Sequence, residues 1–232
     1  MIILKVIGLI GGMSWESSLE YYRIINETVK ERLGGLHSAK CILYSLDFEI
    51  IEKLQHKGAW KDLTKILIDA AKKLESIGAD MIIICTNTMH KTATEIQNNI
   101  RIPLIHIVDA TAEKILANKI DRVALLGTKF TMEEPFYKDR LKHHGIDVLI
   151  PNEKERSIIH KIIYNELCLG IIKLSSKQKV KEIINRLIAN GAQGIILGCT
   201  ELPLLIKQED IPVPIFDTTT IHAKAAVEYA LK

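Results

Sequence analysis

The sequence predicts an α/β protein with two doubly wound lobes, each built on a parallel sheet, related by a pseudo-two-fold axis. Short apolar runs alternate with amphipathic stretches of helical length along all 232 residues, the pattern of parallel sheets with helical crossovers. The run that starts at Gly78 aligns without a gap with the run that starts at Gly191. No linker rich in Gly, Ser or Pro separates the halves. We therefore expect packed lobes with the active site in the cleft between them.

The elements of the first half follow from apolar periodicity and from the residues that end each run. Strands are predicted at 3–10, 40–46 and 81–85, and helices at 16–33, 50–55, 60–77 and 89–98. Gly11 and Gly12 make a tight loop after the first strand, and Ser14 can cap the helix that follows. Gly34 ends that helix, and Gly78 ends the helix before the third strand.

The second half repeats this order. Strands are predicted at 102–109, 122–126, 147–150, around 195 and at 211–217, and helices at 110–118, 133–143, 157–169, 176–190 and 219–231. The stretch 211–217 resembles 102–109 in its proline pattern and in its final Asp. We expect an N-terminal lobe of residues 1–104, to which 214–232 return, and a C-terminal lobe of residues 105–213.

The composition excludes several classes of function. The net charge is +3 and no basic block occurs, which argues against a nucleic-acid partner. The four cysteines show no metal-type spacing and a chain of this size needs no disulfides, so we expect free thiols, no metal and a cytoplasmic location. The apolar start, 1–10, is too short to cross a membrane and lacks a cleavage site, so it is interpreted as a strand.

Two strand ends carry the candidate chemistry. Cys199 ends an apolar run and is followed by polar residues, in a setting that can lower a thiol pKa from about 8.5. A buried structural cysteine fits the position equally well. Thr86 is its counterpart in the internal alignment, although it could simply cap the next helix. Strand alternation points Cys85 the opposite way, into its own lobe.

Other residues attract weaker hypotheses. Cys41 lies in a predicted strand and Cys168 in an apolar helix, which favours core positions for both. The glycines between Gly8 and Gly12 do not match the dinucleotide-binding pattern. They more simply let the backbone approach a small ligand. No role is assigned to His90 or His106.

Three motifs resemble the aspartate/glutamate racemase superfamily, which is cofactor-independent. They are the segments 11–17 (GGMSWES), 85–91 (CTNTMHK) and 198–203 (GCTELP). The likeness covers nearly the whole chain, and Glu201 resembles the aspartate racemase branch. The family motif usually has Cys directly before Asn, whereas here Thr86 precedes Asn87. The chain thus resembles a bacterial subgroup with a Thr/Cys pair and a preference for L-substrates.

The resemblance implies an isomerase that racemises aspartate or glutamate without a cofactor. Cys199 would remove the α-proton from one face, and Thr86 would return a proton on the other. The remaining residues would bind the amino-acid substrate; these are Met13, Gln55, Asn87, Thr88, Thr200 and Glu201. A homodimer is also implied, and no membrane partner is expected. Three alternatives stay open: a racemase with broad or non-acidic substrates, a single-cysteine decarboxylase of the same superfamily, and a non-catalytic amino-acid-binding protein.

Overall fold

The computed structural model describes residues 4–232, so the predicted strand start at Ile3 lies outside the described residues. The strands are β1 (Ile7–Gly11), β2 (Cys41–Ser45), β3 (Met81–Ile84), β4 (Arg122–Gly127), β5 (Asp147–Leu149), β6 (Gly194–Gly198) and β7 (Ile215–Asp217). The α-helices are α1 (Trp15–Leu33), α2 (Phe48–His56), α3 (Trp60–Ser76), α4 (Ala93–Gln97), α5 (Ile107–Ala117), α6 (Lys129–Glu133), α7 (Pro135–His143), α8 (Glu153–Asn165), α9 (Leu174–Ala189), α10 (Leu202–Leu205) and α11 (Thr218–Ala230). Short 3₁₀ helices lie at Thr88–Thr92, Leu167–Leu169 and Gln208–Asp210.

The first unit comprises the described residues up to Ile107 together with His222–Lys232. Its sheet has the parallel order β2-β1-β3, and Leu104 adds a single parallel bridge to Ile82 on the outer side of β3. Alternate strand residues enter two apolar clusters. One cluster packs β1 and β3 against α1 and α11, and the other packs them against α2, α3 and α4. Helices thus cover both faces of the sheet, which leaves the strand ends for function.

The second unit comprises Val108–Ile221. Its sheet is also parallel, in the order β5-β4-β6-β7. One face of β4 and β6 packs against α8, α9 and α10 through a single large cluster that contains Ile195, Leu197 and Cys199. The intervening residues, such as Leu125 and Ile196, are also fully buried. Both sheets therefore follow the predicted α/β plan.

The internal alignment holds at the level of the backbone. Gly78 and Gly191 both adopt a positive φ, of 95° and 97°. Ile82 donates its N–H to the Pro103 carbonyl, and Ile195 donates to the Pro214 carbonyl, both at 2.8–2.9 Å. In each unit the first strand in chain order (β1 or β4) lies beside the strand of the repeated run (β3 or β6). The two units therefore each contain one copy of the same local arrangement, as the internal repeat predicts.

Several details differ from the sequence-based expectation. The strand predicted at 102–109 is only an isolated bridge at Leu104, and α5 already begins at Ile107. Strand β7 pairs with β6, so 215–217 belong to the second sheet, and the chain returns to the first unit only at His222. The boundary predicted at 213/214 thus falls at 221/222, and the one at 104/105 falls at 107/108. The helix predicted at 133–143 begins only at Pro135, because the proline disfavours a helical conformation at Glu134, which has ψ of 150°. Glu133 is the last residue of the separate helix α6.

Within residues 4–232, none of the helices combines the length and the apolar character that a membrane span requires.

Candidate active site

The loop after β1 is built around Gly12 and a set of serines. Gly12 has φ of 82°, and a Cβ there would lie 2.1 Å from the Leu46 carbonyl oxygen, so only glycine fits. The Gly12 N–H donates to Ser18 Oγ at 2.7 Å, and the Ser18 hydroxyl donates to the Ser14 carbonyl at 3.0 Å. Ser14 caps α1 by accepting from the Ser17 N–H. The predicted cap is confirmed, and the loop is fixed to the helix that follows it.

The same helix start holds the end of β3. The Ser17 hydroxyl donates to the Cys85 carbonyl at 2.6 Å, and the Cys85 N–H donates to the Ile10 carbonyl at 2.9 Å. Thr86 therefore lies at the carboxyl end of the central strands, which is the edge where ligands bind in parallel α/β sheets.

Cys85 and Thr86 occupy different environments. Cys85 is 0% exposed and packs in the cluster beneath α1 and α11. Burial raises the pKa of its thiol, and the nearby Cys41 adds to the rise, so Cys85 stays protonated. Thr86 is partly exposed. The alternation argument placed Cys85 inside its own lobe, and the structure agrees.

The remaining candidates of the first unit lie around the same strand end. Gln55, which is buried on α2, donates through Nε2 to Met89 Sδ at 3.0 Å. Met13 and Met89 belong to one apolar cluster. Asn87 and Thr88 are both buried in the loop and 3₁₀ turn after Thr86. The structure thus ties the Gly12–Met13 loop, α2 and the Thr86 loop to one edge of the sheet.

The second unit carries Cys199 just beyond β6, in contact with Glu201. Cys199 Sγ lies 2.9 Å from Glu201 Oε2, and the two residues are 9% and 8% exposed. The thiol donates and the carboxylate accepts. Thr200 between them is partly exposed. This contact places a proton acceptor directly on the thiol.

The expected lowering of the Cys199 pKa is wrong for this structure. Burial raises the pKa of the thiol well above its usual value, and the charge of Glu201 and its hydrogen bond with the thiol raise it further. The Glu201 backbone opposes this in part. A negative charge in a poorly hydrated site disfavours a second one. Cys199 is therefore a protonated thiol in this structure, and a thiolate requires transfer of its proton to another group.

Sequence reasoning missed two residues near these strand ends. Gly127 pairs with Gly198, so Thr128 and Cys199 are the next residues along neighbouring strands. Thr128 is buried and caps α6 by accepting from the Thr131 N–H. The pairing of β4 with β6 matches the pairing of β1 with β3, and it places Thr128 at the position that Gly12 has in the first unit. The internal repeat could therefore have indicated Thr128 as a strand-end residue. His90, to which no role was assigned, bonds to the Thr86 carbonyl at 2.8 Å.

Metal ligation finds no support in this part of the chain: among residues 4–232 no group of three His, Cys, Asp or Glu side chains is placed to hold an ion. The described free cysteines are Cys41, Cys85, Cys168 and Cys199.

A buried histidine of the first unit predicts acid sensitivity. His222 is fully buried, and desolvation lowers its pKa to about 4, from 6.5. Between these values the unfolded chain binds a proton at this residue and the folded chain does not. The free energy of unfolding should therefore fall as the pH drops from 6.5 to 4, by about 3 kcal/mol from this residue. Urea unfolding across this range should show a shallower pH slope for His222→Asn; an unchanged slope would contradict the assignment.

Comparison with known proteins agrees with this architecture. The family model described as Asp/Glu/Hydantoin racemase matches residues 10–226, and the chain belongs to that family. It is an enzyme of the isomerase class. The crystal structure of a putative Asp/Glu racemase from Yersinia pestis has a TM-score of 0.94 and 53% identity, over 99% of this chain and 100% of that one.

Two further relatives differ in the name they carry. An aspartate racemase homologue from Pyrococcus horikoshii OT3 has a TM-score of 0.88 and 39% identity, over 99% of this chain and 100% of that one. The broad specificity amino-acid racemase RacX of Bacillus subtilis is 29% identical over 72% of this chain and 71% of its own length. The relatives share a racemase description but not a single substrate.

Proposed function

We propose that the protein racemises aspartate or glutamate without a cofactor, with Thr86 and Cys199 as the catalytic pair. One observation carries the proposal: the two residues hold the same register position in the two units. The internal repeat aligns Ile84 of β3 with Leu197 of β6. Thr86 follows Ile84 by two residues, and Cys199 follows Leu197 by two residues. A racemase needs a proton-transferring group on each face of the substrate α-carbon, and a duplicated strand end supplies one group from each unit.

Glu201 gives Cys199 a route to the thiolate. The Sγ proton moves 2.9 Å along the existing hydrogen bond to Glu201 Oε2. With Glu201 neutral, the pair keeps a single negative charge, now on the Cys199 sulfur. The thiolate then removes the α-proton of the L-amino acid, which leaves both side chains neutral and the charge on the substrate α-carbon. The positive ammonium group of the substrate favours the thiolate by Coulomb attraction.

Thr86 completes the inversion from the other face. Its hydroxyl is far less acidic than a thiol, so it donates a proton, directly or through water, more readily than it abstracts one. The substrate α-carboxylate is held by the side chains and N–H groups of Asn87, Thr88 and Thr200. Met13 and Gln55 line the part of the site that receives the substrate. The contact of Gln55 with Met89 holds the side-chain amide of Gln55 in place.

A broad-specificity racemase is the second candidate. The likeness to the RacX protein of Bacillus subtilis favours it. Both candidates use the same acid–base pair and differ only in the side chain that the substrate carries.

Incubation with a panel of L- and D-amino acids in deuterated water tests the proposal. The expected result is loss of optical purity and α-deuterium incorporation for aspartate or glutamate, retained after dialysis against a chelator. Racemisation of many side chains would select the second candidate. Release of carbon dioxide from an arylmalonate would indicate a decarboxylase, and binding without α-exchange would indicate a binding protein.

Replacing Glu201 by glutamine should move two observables in opposite directions. The substitution removes the charge that raises the Cys199 pKa, so alkylation of Cys199 by iodoacetamide near neutral pH should become faster. It also removes the acceptor of the thiol proton, so racemisation should fall by about 10²-fold. Mass mapping of the alkylated peptide separates Cys199 from the other thiols. Slower alkylation in Glu201→Gln, or unchanged racemisation, would contradict the relay.

A cytoplasmic homodimer is the assembly we propose for the chain. Strand β2 is an edge strand, and an exposed apolar face lies beside it, formed by Trp15, Leu19, Tyr22 and Leu43. Antiparallel pairing of β2 with a second copy, centred on Leu43, brings Lys40 near Asp47 of the other chain. Light scattering should give about twice the chain mass of 26.1 kDa, and Leu19→Glu should reduce it to the monomer value.

A further inference from the structure

We propose that His90 is a positioning residue that sets the direction of the Thr86 hydroxyl. The inference rests on the proposed function, since it concerns the step assigned to Thr86. His90 Nδ1 lies 2.8 Å from the Thr86 carbonyl oxygen. On the other side of the ring, the Ile107 N–H donates to His90 Nε2 at 3.2 Å. One buried side chain therefore connects the Thr86 loop to the first residue of α5.

These two bonds fix the tautomer of His90. Nε2 needs a lone pair to accept from a backbone N–H, and Nδ1 needs a proton to meet a carbonyl oxygen at this distance. His90 is thus neutral with its proton on Nδ1. A protonated ring would lose the Ile107 bond, because both nitrogens would then be donors.

The peptide planes on both sides of Thr86 are held by side chains from different elements. Ser17 on α1 donates to the Cys85 carbonyl at 2.6 Å, and His90 donates to the Thr86 carbonyl at 2.8 Å. These carbonyls belong to the peptides before and after Thr86, so the two bonds restrain its φ and ψ together. The direction of a side chain follows from φ, ψ and a rotamer. Ser17 and His90 therefore form a clamp on the residue that donates the proton.

The packing around His90 keeps the clamp rigid. The ring is 3% exposed, and its centroid lies 4.7 Å from that of His106 and 5.4 Å from that of His222. His222 donates from Nε2 to the Ile105 carbonyl and accepts from the Tyr21 hydroxyl, each at 2.8 Å. The segment 105–107 is thus bonded by two histidines, and His90 cannot turn without breaking this arrangement.

A pair of substitutions separates the two bonds of His90. The amide of asparagine reaches the place of Nδ1, so His90→Asn keeps the donor to Thr86 and loses the acceptor for Ile107. The amide of glutamine reaches the place of Nε2, so His90→Gln keeps the acceptor and loses the donor to Thr86. Both variants lose the ring and one hydrogen bond. A purely structural role predicts similar behaviour, whereas a positioning role predicts a difference in the step that uses Thr86.

The readout is the ratio of inversion to α-proton wash-out for the L-substrate in deuterated water. Wash-out with retention needs Cys199 alone, and inversion also needs Thr86. In His90→Gln the ratio should fall by about tenfold, because a small misplacement of a reacting group has a large effect. In His90→Asn it should stay close to that of the wild type. The control is His222→Asn, which changes the same cluster at a residue with no bond to Thr86, and its ratio should not change.

A second variant keeps the inference testable if the His90 variants unfold. Ser17→Ala removes the other half of the clamp in a small side chain and should lower the same ratio. Equal ratios in His90→Gln and His90→Asn, or an unchanged ratio in Ser17→Ala, would overturn the inference. A wild type that racemises no amino acid would instead refute the proposed function. A separate readout is long-range ¹H–¹⁵N NMR, which should show His90 protonated on Nδ1; a proton on Nε2 would also overturn the clamp.

Discussion

Replacing Cys199 by alanine is expected to lower turnover by at least about 10²-fold, the usual effect of losing a positioned acid–base group. The methyl group cannot take a proton from carbon, and in the proposed relay Glu201 accepts the thiol proton rather than the α-proton. Cys199→Ser should behave similarly, because a hydroxyl is far less acidic than a thiol. Racemisation is followed by loss of optical rotation, and folding by thermal unfolding.

Cys85→Ala is the matched control for this experiment. Cys85 is the more obvious partner by residue type, but it is buried beneath α1 and α11, and its pKa is raised by burial. Its replacement should destabilise the fold by about 1 kcal/mol and leave the chemistry in place. Activity lost equally in both variants, or near-normal racemisation by Cys199→Ala, would refute the assigned roles.

Replacing Thr86 by cysteine is expected to accelerate α-hydrogen exchange from the D-enantiomer. The two side chains are close in size, but only the thiol ionises in an accessible pH range. Of the two proposed catalytic residues only Cys199 ionises readily, and in the proposal it acts on the L-enantiomer. A second thiol at 86 adds a base for the opposite face. The measurement is the initial rate of deuterium incorporation from pure D-aspartate and D-glutamate.

Thr86→Ala gives the complementary result. Inversion should be impaired, while wash-out of the α-proton from the L-form continues, since Cys199 removes and returns a proton on one face. Chiral analysis combined with mass analysis separates deuterated L-product from D-product. Unchanged inversion in Thr86→Ala, or no gain from the D-enantiomer in Thr86→Cys, would indicate that Thr86 only shapes the loop.

The fold was predictable from the sequence because its signals are local and repeated. The run at Gly78 and the run at Gly191 carry the same turn glycine, apolar strand and polar end, and both form the predicted strands. The assignment of 214–232 to the first lobe failed at β7, since strand pairing with β6 is a tertiary choice that the segment itself does not encode. The start of α7 at Pro135 was locally predictable, because proline is favoured at the first position of a helix.

Candidate residues could be selected from the sequence, but their electrostatics could not be predicted. The strand-end rule identified Thr86 and Cys199 as candidates, and the alternation rule separated Thr86 from Cys85. The pKa of Cys199 is raised first by the burial of its own thiol and then by the charge and hydrogen bond of Glu201, and burial is a property of the folded chain. The tautomer of His90 depends on Ile107, which lies 17 residues away. Spacing in the sequence gives no such information.

The most direct test of the account compares α-hydrogen exchange from the two enantiomers in the wild type. The equilibrium constant of a racemisation is one, so kcat/KM for racemisation must be equal in the two directions and cannot reveal an asymmetric pair. The rate of α-hydrogen exchange can differ between the enantiomers and is therefore the quantity to measure. Initial deuterium incorporation is measured from pure L- and pure D-substrate at the same concentration. The pairing of Cys199 with Thr86 predicts faster incorporation from the L-enantiomer, with deuterated L-product retained. Equal incorporation from both enantiomers would contradict it.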